Sequence, residues 1–140
     1  MNNSLQAIGE RLRTQDNLCT DAPIFAVQQK IRVYGVEDGY AEGHIWIDDD
    51  RDHEEVSELK ARRLDLLQYH FRDFPDHYKW VGYVEQWEFV TACFTMEGAQ
   101  EHIRINGHNL RESRVYAYGS FRNPEYRAVR DALMKGEVTT

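Results

Sequence analysis

Residues 81–95 read VGYVEQWEFVTACFT, the most apolar run of the chain and the one whose reading decides the fold class. Trp87, Phe89 and Cys93 alternate with Val90, Ala92 and Phe94, so both faces beyond Gln86 are apolar. That is the pattern of a central strand covered on both sides, and it predicts a strand over 79–95. A run of this length is long for one strand, so a bend or bulge is expected near Glu85 and Gln86.

C-terminal to this run, Thr95 stands where an N-cap belongs and MEGAQEHIRIN reads as a helix that ends at Gly107. A short strand, RVYAY, follows. Asn123-Pro124-Glu125 then supplies a cap, a proline at the first helical position and an acid in the first turn. Tyr126, Val129 and Leu133 form the apolar stripe of that last helix, and the tail GEVTT is expected to fray. Residues 96–135 thus read as helix, strand, helix.

Toward the N-terminus, Pro75 closes a helix expected over 52–74. Asp52 serves as its cap, Glu55 completes a capping box, and Leu59, Leu66, Leu67, Phe71 and Phe74 lie on its inner side. Before it, IFAVQQKIRVYGV alternates as a strand with Phe25 and Val27 on one face. Asp38-Gly39 offers turn chemistry and GHIWI a second strand, which predicts a β-hairpin over 22–50. Ser4 caps a short helix through Arg13 with Leu5, Ile8 and Leu12 on one face, within an N-terminal helical arm over 1–21.

These elements define an α+β protein of 140 residues, read as a single domain over 1–140. Its mostly antiparallel sheet of about four strands packs with three helices and the short N-terminal one. An apolar content of 41% is too high for a disordered chain. A mean hydropathy of -0.70 leaves no run suited to a bilayer, and MNNSLQAIGERLR lacks the apolar core of a secretory signal. Cys19 and Cys93 lie far apart and outside any CxxC pattern, which fits a reduced, cytoplasmic protein.

The formal net charge of -7 is local. Residues 37–58 hold ten acidic side chains (Glu37, Asp38, Glu42, Asp48, Asp49, Asp50, Asp52, Glu54, Glu55, Glu58) against Arg51 alone. Such a stretch repels the phosphate backbone of DNA, so nonspecific DNA binding is not expected. It reads either as a solvated loop and helix start or as a surface that presents carboxylates to a basic groove on another protein.

Candidate chemistry is sparse. The six histidines form neither HxxxH nor HExxH, and Asp48, Asp49, Asp50 and Asp52 resemble the start of a calcium loop without its glycine, so neither a metal nor another cofactor is expected. Cys93 reads as an inert core thiol, and Ser113 and Ser120 lack a nucleophile elbow. The segment RINGHNLRESRVYAYGSFRNPEYRAVR interleaves arginines with aromatic rings. Arg104, His108, Arg111, Arg114, Tyr118 and Arg122 are its candidates for an anion or ligand site, with helix caps and a solvated face as the plainer account. The aromatics from Tyr116 to Phe121 also suit a homodimer face.

The motifs LRTQDN, APIFAVQQKIRVYG, WEFVTACFT, INGHNL and YGSFRNPEY resemble a family of small bacteriophage and prophage proteins. The resemblance covers most of the chain and implies no catalytic residue. It implies an accessory protein of the bacterial host cell that binds a host or defence complex stoichiometrically, in the manner of an anti-CRISPR inhibitor. The partner is then a protein, itself able to bind nucleic acid, and the docking surface is Asp48, Asp49, Asp50, Asp52, Glu54 and Glu55. The alternative expectation is a small-ligand or nucleotide-sequestering protein with an arginine and aromatic pocket. An enzyme would need a concave site with convergent titratable groups, which a sequence does not display.

Overall fold

The computed structural model describes residues 1–18 and 20–138. Expectations for Cys19 and the end of the GEVTT tail lie outside the described residues. The elements are α1 (Leu5–Thr14), β1 (Pro23–Val36), β2 (Gly43–Asp48), β3 (Glu54–Glu55), α2 (Glu58–Tyr69), β4 (Tyr78–Cys93), α3 (Met96–Asn106), β5 (Ser113–Gly119) and α4 (Pro124–Lys135). Single 3-10 turns fill Asp38–Tyr40, Asp49–Arg51 and Gly107–Asn109. The class is α+β, with one antiparallel sheet ordered β3-β2-β4-β1-β5. No helix among the described residues is long and apolar enough to cross a membrane.

The chain divides into two compact units, the first formed by residues 1–30 with 87–140 and the second by 31–86. In the first, β1 pairs with β5 so that Phe25 faces Ala117 and Val27 faces Val115. Phe25, Val27 and Ala99 of α3 are fully buried, and Val90, Cys93, Met96, Ile103, Leu110, Val115 and Ala117 pack around them. Three side-chain caps start the helices of this unit. Ser4 Oγ accepts Ala7 N–H, Thr95 Oγ1 accepts Gly98 N–H and Asn123 Oδ1 accepts Tyr126 N–H. Gly107 stays right-handed and opens a 3-10 turn, so α3 runs into that turn instead of a left-handed glycine cap. Helices α1 and α4 meet where Gly9 lies against the Leu133 carbonyl, and a Cβ at Gly9 would fall 2.1 Å from that oxygen.

In the second unit, Trp46, Ile47 and Leu64 are buried. Trp46 Nε1 donates to Asp65 Oδ1 at 2.7 Å, which ties α2 to β2. The Trp46 ring also meets Phe74 edge-on and Trp80 at a tilt.

Several sequence expectations change. The hairpin over 22–50 does not form, because β4 lies between β1 and β2. The six residues from Glu37 to Glu42 instead step across β4, over Gly82. A Cβ there would sit 2.8 Å from both the Val36 carbonyl and Ala41 Cβ. Two strand spacings are about 9.6 Å, well within reach of six residues.

The helix expected over 52–74 begins at Glu58, with Ser57 Oγ accepting Lys60 N–H, and ends at Tyr69. Asp52 takes a left-handed conformation and cannot cap it, while Glu54 and Glu55 pair with β2. Leu64 is the residue α2 buries, and Leu59, Leu66 and Phe71 are exposed. The run beyond Gln86 is not covered on both faces either, since Phe89 is 62% exposed.

Candidate functional site

The charge follows the division of the chain. The second unit holds fourteen acidic and seven basic residues, and the first holds ten of each, so the whole imbalance of -7 belongs to the second. Of the ten acids between 37 and 58, nine are exposed, and Asp48 is buried at 8% exposure. The strand β2 turns Asp48 inward, so of the six carboxylates expected to form a surface, five do lie on one.

Local bonds hold much of this acid in place. Asp48 Oδ1 accepts Asp50 N–H at 3.1 Å and starts the 3-10 turn. Asp49 meets His53 Nδ1 at 2.8 Å, and Asp38 meets His44 Nε2 at the same distance. Glu55 accepts from Arg32 at 2.6 Å and from Tyr34 Oη at 3.1 Å. Arg32 also stacks on Tyr83, 4.2 Å from the ring centre. The bond to Glu55, with the attraction of Glu55, Tyr83 and Glu85 behind it, raises the Arg32 pKa against the opposing effect of desolvation. Asp52 and Glu54 are exposed beside this network. The arrangement is an acidic surface in which Asp38, Asp48, Asp49 and Glu55 are tied to neighbouring groups.

The second feature lies on the sheet of the first unit. Because Phe25 and Val27 face its core, the register places Gln28 against Arg114, Ala26 against Tyr116 and Ile24 against Tyr118 on the opposite face. Arg114 lies 4.0 Å from the centre of the Trp87 ring and 5.1 Å from that of Tyr116. Its Nε donates to Gln28 Oε1 at 2.8 Å, and Gln28 Nε2 donates to Tyr118 Oη at 2.7 Å. Tyr116 and Tyr118 are each 45% exposed, with ring centres 4.7 Å apart. Lys30 approaches the Trp87 ring at 5.3 Å and Glu112 at 3.3 Å.

The structure therefore joins Arg114 and Tyr118 with Tyr116 of the same segment, and adds Gln28 and Trp87, which the sequence does not place with them. The missing signal was strand pairing, since Gln28 and Arg114 are 86 positions apart. The other candidates sit elsewhere. Arg104 is bonded to Glu101 on the surface of α3, and that bond lowers the Glu101 pKa and raises that of Arg104. His108 contacts Asn109 within the 3-10 turn, and Arg111 N–H donates to Gln29. Arg122 lies 5.2 Å from the centre of the Phe121 ring, beside a shallow depression that continues along α4 to Asp131.

A cavity of about 370 Å³ in the first unit is lined by Ile8, Arg11, Cys93, Phe94 and His102 among others. Burial pushes the Cys93 thiol up, which keeps it protonated at neutral pH and works against a nucleophilic role. No protein-family model, curated protein or solved structure matches this chain.

Proposed function

We propose that this chain is a stoichiometric protein-binding modulator that docks its acidic surface on a basic protein. Nine exposed carboxylates within one stretch of a unit that carries the whole net charge support this reading. A field of one sign steers an oppositely charged partner and sets salt-dependent association. The resemblance to phage accessory proteins makes a host or defence complex of the bacterial cell the natural target.

The test uses three exposed acids: Asp49→Asn, Asp52→Asn and Glu54→Gln combined. Partners captured from bacterial lysate are identified, purified and titrated with both proteins. Wild type is expected to bind a basic partner with an affinity that falls at least tenfold in the triple variant and again between 50 and 300 mM salt. Failure to recover any basic partner, or binding that ignores both changes, overturns the reading.

One observation favours a different class. The Arg114 guanidinium, over the rings of both Trp87 and Tyr116, marks a cationic and aromatic face on which a nucleobase can lie. A rise in melting temperature with ATP or a short oligonucleotide, abolished by Trp87→Ala, would select that reading.

A further inference from the structure

Strand β5 ends the sheet order, with β1 on one side and no strand of the described residues on the other. The ladder shows which of its backbone groups are left over. Lys30 N–H donates to the Glu112 carbonyl at 2.7 Å, and Ser120 N–H donates to the Ala22 carbonyl at 3.1 Å. Hydrogen-bonded pairs alternate along an antiparallel ladder, so between these two bonds the register assigns Arg114, Tyr116 and Tyr118 to bonding with β1. Pro23, which has no N–H to give, accordingly stands opposite Gly119 in a pair that exchanges no bond. The N–H and C=O groups of Ser113, Val115, Ala117 and Gly119 point outward, and no hydrogen bond from the described residues reaches them.

A free edge of this kind pairs with another strand unless something prevents it. The other end of the sheet is protected, because β3 is two residues long and both are glutamates. Strand β5 runs for seven residues, SRVYAYG, without proline or lysine. Its one charged side chain, Arg114, lies on the sheet face over the Trp87 ring. The core is also open along this edge, since Val115 and Ala117 are only partly buried while Val27 and Phe25 opposite them are fully so.

The sequence of the edge selects the strand that completes it. Tyr116 is the midpoint of Ser113–Gly119. A second copy laid antiparallel about a two-fold axis at Tyr116 therefore sets every outward residue opposite an outward residue, Ser113 to Gly119 and Val115 to Ala117. On one face Arg114 then stands across from Tyr118 of the second copy, a cation against an aromatic ring, and the two Arg114 side chains stay apart. On the other face Val115 and Ala117 cover each other's open flanks. We propose that the chain forms an isologous dimer through β5, which joins two five-stranded sheets into one. This dimer does not rest on the acidic surface, which belongs to the second unit.

Sedimentation equilibrium follows the mass of the full chain from micromolar to submillimolar concentration. The mass is expected to rise from 16.5 kDa toward twice that value. Amide exchange read by NMR at both ends of the range is expected to slow at least tenfold at Val115 and Ala117 in the dimer, with Tyr116 and Tyr118 protected throughout. Tyr116→Lys sets two ammonium groups against each other at the axis, and Ala117→Pro removes an outward N–H that β1 does not use. Each is expected to weaken association at least tenfold and to keep the wild-type circular dichroism spectrum at low concentration; if the proline variant loses that spectrum, Tyr116→Lys and the exchange rates decide. A chain that stays monomeric throughout overturns self-pairing and leaves the edge to a strand of another protein. A dimer that neither variant weakens, or in which Val115 and Ala117 exchange as in the monomer, overturns the role of β5. Neither substitution overlaps the docking test, so either proposal can fail alone.

Discussion

At Gly82 a single missing methyl group allows the chain path of the second unit. The connection from β1 to β2 passes over β4 there, with Val36 and Ala41 both 2.8 Å from the position a Cβ would take. Alanine normally favours a strand over glycine by a fraction of a kcal/mol, but here the backbone oxygen of Val36 would have to move. Overpacking of this kind costs about 1–3 kcal/mol, which outweighs the propensity gain. Gly82→Ala is therefore expected to lower the denaturation midpoint in urea by an amount equivalent to about 1–3 kcal/mol, with the slope unchanged. A midpoint equal to that of wild type would show that the crossing does not press on Gly82. The sequence displays this glycine inside an apolar strand but not the chain that crosses it, because the clash partners are 41 and 46 positions away.

Elements were legible wherever a local signal and the tertiary packing agreed. The Ser4, Thr95 and Asn123 caps start α1, α3 and α4 where side-chain chemistry predicts, since each cap needs only its own first turn. Helix α2 was misplaced because two caps competed: Ser57 wins once Glu54 and Glu55 are drawn into pairing with β2. The aromatic and arginine face was half legible for a similar reason. Its members on β5 are close in sequence, but Gln28 and Trp87 arrive through strand pairing. Helix α4 carries a pH-dependent tie of its own. Tyr126, in its first turn, donates Oη–H to the Pro23 carbonyl at 2.5 Å, and burial raises its pKa while Arg130 opposes the shift. A phenol whose folded pKa lies above its unfolded value of about 10 gives full stability below that pH and loses it as pH rises through the folded value. Wild type is expected to lose melting temperature more steeply than Tyr126→Phe above pH 10, although the variant starts lower for want of the hydrogen bond. Parallel curves would remove Tyr126 from the alkaline transition.

Across the whole molecule, the charge that opposes folding and the charge proposed to bind a partner are the same residues. Fourteen acids against seven bases in residues 31–86 repel one another, and net charge of one sign destabilises a compact state. Asp52 adds a backbone cost, for it holds φ near 57° and His53 follows at 60°. Asparagine tolerates this left-handed region better than most residues and carries no charge. The combined Asp49→Asn, Asp52→Asn, Glu54→Gln variant does lose the Asp49 side of its contact with His53, but that pair is exposed and worth at most about 1 kcal/mol. The relief of repulsion and strain should exceed this. The variant is therefore expected to melt at or above the wild-type temperature at low salt, and the gap should shrink as salt screens the wild-type charges. If stability rises while partner binding falls, the acids are kept for recognition at the expense of the fold, the trade-off seen where function needs a locally unfavourable surface. A variant that melts well below wild type at every ionic strength would mean instead that these carboxylates hold the second unit together, and the acidic stretch would lose its standing as a docking surface.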